Sequence, residues 1–472
     1  MKQWLLCIVF VLTGALSGGE GIGMGNIRNI KNIREFGAVG DGWANDTGAI
    51  QKALDGGGVI VVPAGKYQTG TLYLESDTDL RMEPGAELLA STDPDCYNAV
   101  DFSPKNTNPS TAEHVSARHL LIAIGKKNIS ISGGRINGNA GGWLRLRPVR
   151  RGEDFFANLN PERPAQMLFF RECEEIRMEG VKLVDATYWH LFLHGCRNVR
   201  LDGINIVGNH HFLNGDGIDI DACGDVIVRN CIIDTSDDAI TLRASDSKLD
   251  NPPVCENVIV SGCVLRSSFA NAIRIGVGSG TIRNCLIDNV IIRDSATAIS
   301  FISRYSKNAA GCVIENISIG NLISEAGRFL ALKTVLNERV PPPERPGSLI
   351  RNIRFFNISG KAERSSWIFG TPENYVENIC FSGLSFVYSG GGPAPDVDRN
   401  GFWGRGSSDA VFDLRYAGNV RFDNVRVLRP EESGGWKYEV ALRECRDISF
   451  DGCSGNGGKP WQLFRGSDVV SR

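Results

Sequence analysis

Two acidic phrases carry the chemistry of this chain: Asn214-Gly-Asp-Gly-Ile-Asp-Ile-Asp221 and Asp234-Thr-Ser-Asp-Asp-Ala-Ile240. They are one repeat apart, so Asp216 and the Asp237-Asp238 pair are expected to face one another from neighbouring strands. Opposed carboxylates raise each other's pKa, which keeps one protonated as an acid while another acts as a base. Glycoside hydrolysis needs such a pair, and a wide pair with room for water between its members inverts the sugar. A single aspartate in a turn reads as a solvated residue; two clusters in successive repeats do not.

Cationic residues follow the aspartates. Arg243 should share a strand face, by alternation, with Asp237, Ala239 and Thr241. With Arg274 and Arg304 it forms a set of candidate carboxylate-binding arginines, because a planar guanidinium grips a carboxylate through two hydrogen bonds. Each alone is equally a solvated surface residue. His210 and His211 precede Asn214; no third ligand at fixed spacing makes them a metal site, and no metal or other cofactor is expected. The segment Trp143-Leu-Arg145-Leu-Arg147-Pro-Val-Arg150-Arg151 lies in a long gap, either as a sugar-binding loop or as a strap packed over the scaffold.

What positions these groups is a recurring phrase: Asn or an acidic residue, then Ile/Val-x-apolar. It starts at Asn128, Glu175, Asn198, Asp225, Asn257, Asn289, Asn316, Asn352, Asn378, Asn419 and Asp447. Each copy alternates apolar and polar residues at period two, as a short strand with one buried face does. The Asn and Gly punctuation supplies left-handed turn conformations. Strands that return after a few tens of residues suit an all-β, single-stranded, right-handed parallel β-helix. Such a solenoid explains how 472 residues form one domain, 18–472, although length alone suggests two or three.

The N-terminal half of the pattern begins with Phe36-Gly-Ala-Val-Gly-Asp-Gly42 and the polar group Asn45-Asp-Thr47, followed by Ala49-Ile-Gln-Lys-Ala-Leu54. This predicts a short α-helix, stopped by Gly56-Gly-Gly58, that caps the open end of the solenoid. Residues 1–17 read as a signal peptide, with Lys2, an apolar stretch from Trp4 to Leu16 and a small-residue cleavage site. No other run is long enough for a membrane span, so an exported monomer is expected, in the periplasm or outside the cell. A net charge of −3 without long basic runs argues against nucleic acid. Cys173, Cys196, Cys223, Cys255 and Cys445 each stand two residues before a repeat start, which favours a ladder of reduced packing thiols over disulfides.

Together these phrases resemble a family. The Phe36–Gly42 segment with its Asp-Thr-x-Ala-Ile-Gln helix is similar to the start of pectin-active β-helix enzymes. Asn214-Gly-Asp-Gly-Ile-Asp219 and Ser236-Asp-Asp-Ala-Ile240 resemble two motifs of the polygalacturonase family, glycoside hydrolase family 28. The resemblance is strongest from Gln166 to Ser245 and weaker over about 32–460. It implies an inverting hydrolase of a pectin-like acidic polysaccharide, with Asp237 as general acid and Asp216 and Asp238 holding the water. It further implies that Asn214 positions Asp216, and that a histidine at the place of His211 accompanies attack on chain ends. The family's Gly-His-Gly reads Ala270-Asn271-Ala272 here, and its Arg-Ile-Lys, which grips the galacturonate carboxylate, reads Ser300-Phe301-Ile302. These departures point away from plain homogalacturonan, towards rhamnogalacturonan or another branched acidic glycan. Two other readings stay open: a lyase in which Asp216, Asp219, Asp221, Asp237 and Asp238 bind Ca²⁺ and an arginine abstracts a proton, and a non-catalytic glycan-binding β-helix.

Overall fold

A computed structural model describes residues 30–98, 115–149, 155–245, 249–305, 310–335, 348–391, 407–430, 435–456 and 458–466. The expected leader, and Arg150 and Arg151 of the early loop, lie outside them. The chain is a parallel β-helix: strands pair in parallel with their counterparts in the previous and next coil, so that three long sheets run along the molecule.

The second of these sheets is built from the recurring phrase. Val199 pairs with Ile176 on one side and Val226 on the other, and Val226 in turn with Val258. Ile176, Val199, Val226 and Val258 point inward and are fully buried or nearly so, while the polar residues between them stay outside. Every Asn or acidic residue that opens a copy has a left-handed backbone, from φ 50° at Asn419 to φ 58° at Asn378. That conformation turns the chain between two sheets, and Asn and Asp tolerate it best among residues with a side chain. The side chains also pair along the molecule: Asn316 donates to Asn284, Asn352 to Asn316, Asn378 to Asn352 and Asn419 to Asn378, at 2.7–3.4 Å.

One copy is placed differently from the sequence expectation. Asn284, not Asn289, occupies the corner between Asn257 and Asn316, since Glu256, Arg283 and Glu315 are in register. Asn289 opens the third sheet instead, where Val290 pairs with Leu322 and Leu322 with Ile358. Both corners demand a left-handed residue before a period-two strand, so the local pattern is the same and only the pairing tells them apart.

Among the described residues the cysteines are free thiols. Cys173, Cys196, Cys223, Cys255 and Cys445 are buried at the place the repeat predicts, and the amide of Cys196 donates to Cys223 Sγ at 3.3 Å. Near the N-terminal end a helix spans Thr47–Leu54 and turns Ile50, Ala53 and Leu54 into the core. Asp46 binds the Val39 and Gly40 amides at 2.6 and 3.0 Å, which folds the Gly-rich phrase back onto the helix. Gly40 has no room for a side chain, because a Cβ there would sit 2.5 Å from the Tyr67 ring.

Candidate active site

The first sheet carries the acidic phrases. Its strands Leu191–His194, Ile218–Asp221, Ile240–Ala244 and Asn271–Gly278 lie side by side, with Asp219, Thr241, Arg274 and Ser300 in one outward row. Ile218, Ile220, Ile240, Leu242, Ile273 and Ile275 fill the core beneath them. The alternation does not extend back through Ala239, which packs into the core alongside Ile240. The strand begins only at Ile240, so Asp237 and Asp238 project from the turn before it rather than from the Thr241–Arg243 face.

That turn meets the one carrying Asp216. The Gly217 amide donates to Asp238 O at 2.9 Å and the Ile218 amide to Ala239 O at 3.0 Å. Gly217 permits this approach, since a Cβ there would be 2.4 Å from Ala239 O and 2.7 Å from Ile233 Cγ2. As a result Asp216, Asp237 and Asp238 converge: one carboxylate oxygen of each lies within 4.8 Å of the others, and all three residues are buried.

The three carboxylates have different surroundings. Asp237 accepts the backbone amides of Asn214 and Asp238, both at 3.0 Å. Burial, reinforced by the charge of Asp238, nevertheless lifts its pKa to about 7. Asp238 is held from both sides: Asn271 donates its amide at 3.1 Å and its side chain at 2.6 Å to one oxygen, and Arg274 donates to the other at 3.0 Å. Asp216 has a buried oxygen, Oδ1, with no hydrogen-bond donor. Burial, then Asp237, raises its pKa well above the usual carboxylate range. Asp216 and Asp237, each raised by burial and by neighbouring carboxylate charge, titrate together and retain protons at neutral pH. The same three oxygens are the group, among the described residues, close enough to share a cation.

The arginines part company. Arg274 sits between Asp238 and Tyr305, with its guanidinium 4.2 Å from the Tyr305 ring centre. Its Nε and Nη2 are buried and meet no acceptor in good hydrogen-bond geometry among the described residues. Arg243, expected to bind substrate, is instead engaged by aspartates of the preceding strand: Asp219 at 3.2 Å and Asp221 at 3.8 Å, with Trp189 4.6 Å beneath it. Asp221 also takes the amide and hydroxyl of Ser245 at 2.8 and 2.5 Å and lies 3.6 Å from His194. Burial raises the Asp219 pKa to about 7; at Asp221 burial is again the largest single influence, but His194, Arg243 and Ser245 together outweigh it, and the pKa falls below the ordinary value. Arg304 is buried on the same strand as Ser300 and makes no ion pair with the three carboxylates.

Asn214 has a left-handed conformation of φ 62°, and its backbone amide donates to Asp237. His211 is exposed on the loop leading to Asn214. In the early loop Trp143 is buried, edge-on to Tyr97 with centroids 6.0 Å apart, so it serves packing and is closed to sugar stacking; Arg145 and Arg147 are exposed. Sequence reasoning missed Tyr305, Trp189 and His194. All three lie in other coils, and only the register brings them to the aspartates.

The chain is similar in sequence and in fold to known proteins. An exo-poly-α-D-galacturonosidase of Dickeya chrysanthemi is 28% identical over 355 residues, covering 64% of this chain and 56% of the relative. A probable polygalacturonase of Vitis vinifera is 25% identical over 45% of this chain and 44% of its own length. The chain thus spans about half the length of these two curated relatives. Among solved structures, a family 28 exopolygalacturonase of Yersinia enterocolitica superposes with a TM-score of 0.62 at 19% identity, over 94% of this chain and 79% of that one. An exopolygalacturonase of Thermotoga maritima gives 0.58 at 21% identity, over 76% and 87%. At these identities the likeness speaks for the fold. No helix among the described residues is long and apolar enough to cross a membrane. The sequence model of glycosyl hydrolases family 28 matches residues 60–325, more than half the chain and both acidic phrases, and the chain belongs to that family.

Proposed function

We propose that this protein hydrolyses glycosidic bonds of a pectin-like, uronate-containing polysaccharide, of galacturonan or rhamnogalacturonan type, with inversion at the anomeric carbon. The observation that carries the reading is the buried Asp216–Asp237–Asp238 trio, in which Asp237 has a pKa of about 7. Asp237 is the general acid that protonates the departing oxygen, and Asp216 and Asp238 hold and activate water. Arg274, with donors to spare beside the trio, takes the substrate carboxylate; Asn271 and the Asn214 amide fix the aspartates, and Arg243 holds the strand carrying Asp219 and Asp221.

The close spacing of the carboxylates favours a second reading, retention through a glycosyl-enzyme, which normally uses a separation of about 5 Å. Against it, three donors from Asn271 and Arg274 draw charge from both oxygens of Asp238, which weakens it as a nucleophile while leaving an acceptor site to hold water. Proton NMR of the first product's anomeric configuration separates the two.

We further read the mature protein as an exported monomer of one domain, 18–472, wound right-handed as parallel crossovers almost always are. The helix Thr47–Leu54 then covers the apolar end of the first coil. The decisive assay uses homogalacturonan, rhamnogalacturonan and neutral glycans with chelator present. New reducing ends without ultraviolet absorbance, lost in Asp237→Asn, support the hydrolase. An absorbing product that requires calcium indicates a lyase, and binding without release a glycan-binding protein.

A further inference from the structure

The outward face of the first sheet continues past the trio. In register with Gly276, two residues beyond Arg274, the later coils place Ile302, Lys333, Phe369, Arg415 and Arg443 in one row. The neighbouring row runs from Arg274 through Ser300 and Ala331 to Trp367 and Asp413. Two cations in this stretch are held on an aromatic floor. Trp367 and Phe369 stack with centroids 5.4 Å apart; the Lys333 ammonium lies 4.3 Å from the Trp367 ring centre, and the Arg415 guanidinium 4.4 Å from that of Phe369. Trp367 is buried, whereas Lys333, Phe369 and Arg415 are half-exposed and Arg443 is exposed.

We propose that this row is a binding surface for the uncleaved part of an anionic polysaccharide, which lies along the helix axis from the carboxylate trio towards the C-terminal coils. The proposal rests on the substrate class given above. Three features support it. The surface is continuous with the site, because Ser300 pairs with Arg274 on one side and Ala331 on the other, and Ile302 pairs with Lys333. Its charge complements a polyuronate. Its cations are also ordered before binding: stacking on a ring restricts an otherwise flexible side chain, so less entropy is lost when a carboxylate arrives. Adjacent strands are about 4.8 Å apart, so Lys333, two strands beyond Arg274, lies on the order of 10 Å from it, and Arg415 about 10 Å further on. Only a polymer of several sugars reaches all three. Asp413 accepts from Arg415 Nε and Nη2 at 3.4 and 3.1 Å, which orients the guanidinium.

The test uses the full chain carrying Asp237→Asn, so that binding is read without turnover. Affinity for polygalacturonate and for the galacturonate trimer is measured by calorimetry, with and without Lys333→Ala and Arg415→Ala. Each charge removed should weaken polymer binding roughly three- to tenfold, and more steeply at low salt, while leaving the trimer unchanged. The control Arg351→Ala, on the second sheet, should change neither. Equal loss for trimer and polymer, or no loss for either, overturns the proposal. Tight polymer binding by the variant parent, together with no hydrolysis by the wild type, would refute the proposed activity and leave this surface standing. Circular dichroism and Tm of the alanine variants exclude misfolding; if either fails to fold, Lys333→Gln and Arg415→Gln replace them.

Discussion

Replacing Asp237 with Asn separates the acid's catalytic role from its effect on stability. Its folded pKa of about 7 lies above the value of 3.8 for an unhindered aspartate. A raised folded pKa means that the group's contribution to stability is fully present below the unfolded pKa and is lost as pH rises through the folded one. Wild type should therefore weaken between about pH 4 and pH 7 on account of this residue, and the Asn variant, which cannot ionise, should not. Between about pH 5 and pH 8 the pH-dependent part covers about two units at about 1.36 kcal/mol each, or about 3 kcal/mol. Asn brings its own cost. Both carboxylate oxygens accept amides, from Asn214 and Asp238, and an Asn side chain can accept only one of them. That loss of about 1–2 kcal/mol is independent of pH and cancels in the difference. Urea unfolding at the two pH values gives the stability difference, and reducing-end release gives kcat, expected to fall about 100- to 10,000-fold. A stability advantage that does not grow with pH, or a variant that keeps more than about a tenth of wild-type kcat, refutes the assignment of Asp237 as a buried acid.

Three other outcomes follow from the geometry. In wild type the alkaline limb of kcat/KM should fall near pH 7, where Asp237 loses its proton, and a limb several units higher would show another group to be the acid. Arg274→Ala leaves the buried Asp238 without its ion-pair partner and should cost about 3–5 kcal/mol in urea unfolding, whereas Arg274→Lys should recover part of this; equal losses would show that charge pairing is not the cause. Gly217→Ala drives a methyl group into Ala239 O and Ile233, so the turns bearing Asp216 and Asp238 must separate, with a loss of about 1–3 kcal/mol and a larger loss of turnover than of binding; unchanged kcat would mean the trio tolerates that movement.

The sequence by itself determined the coil. Each Asn or acidic corner followed by a period-two strand is a local statement, in which the left-handed turn and the buried face are both written in neighbouring residues. It also determined that Asp216, Asp237 and Asp238 belong to successive coils, because both acidic phrases hold the same place in the repeat. What the sequence left open is what depends on register. Asn284 and Asn289 carry the same local signal, and only pairing with Asn257 and Asn316 assigns them to different corners. Alternation from Arg243 back to Ala239 fails because the chain bends before Ile240. Tertiary structure likewise decided which partner each charge takes. Arg243 and Arg274 are alike in sequence, yet one pairs with Asp219 on the preceding strand and the other with Asp238 of the trio. Side chains brought together by stacked coils are separated along the chain by the length of a whole turn, and that length varies with every loop. The energy of a buried charge depends on those neighbours across the sheet, so the chemistry of the site was fixed only when the coils came into register.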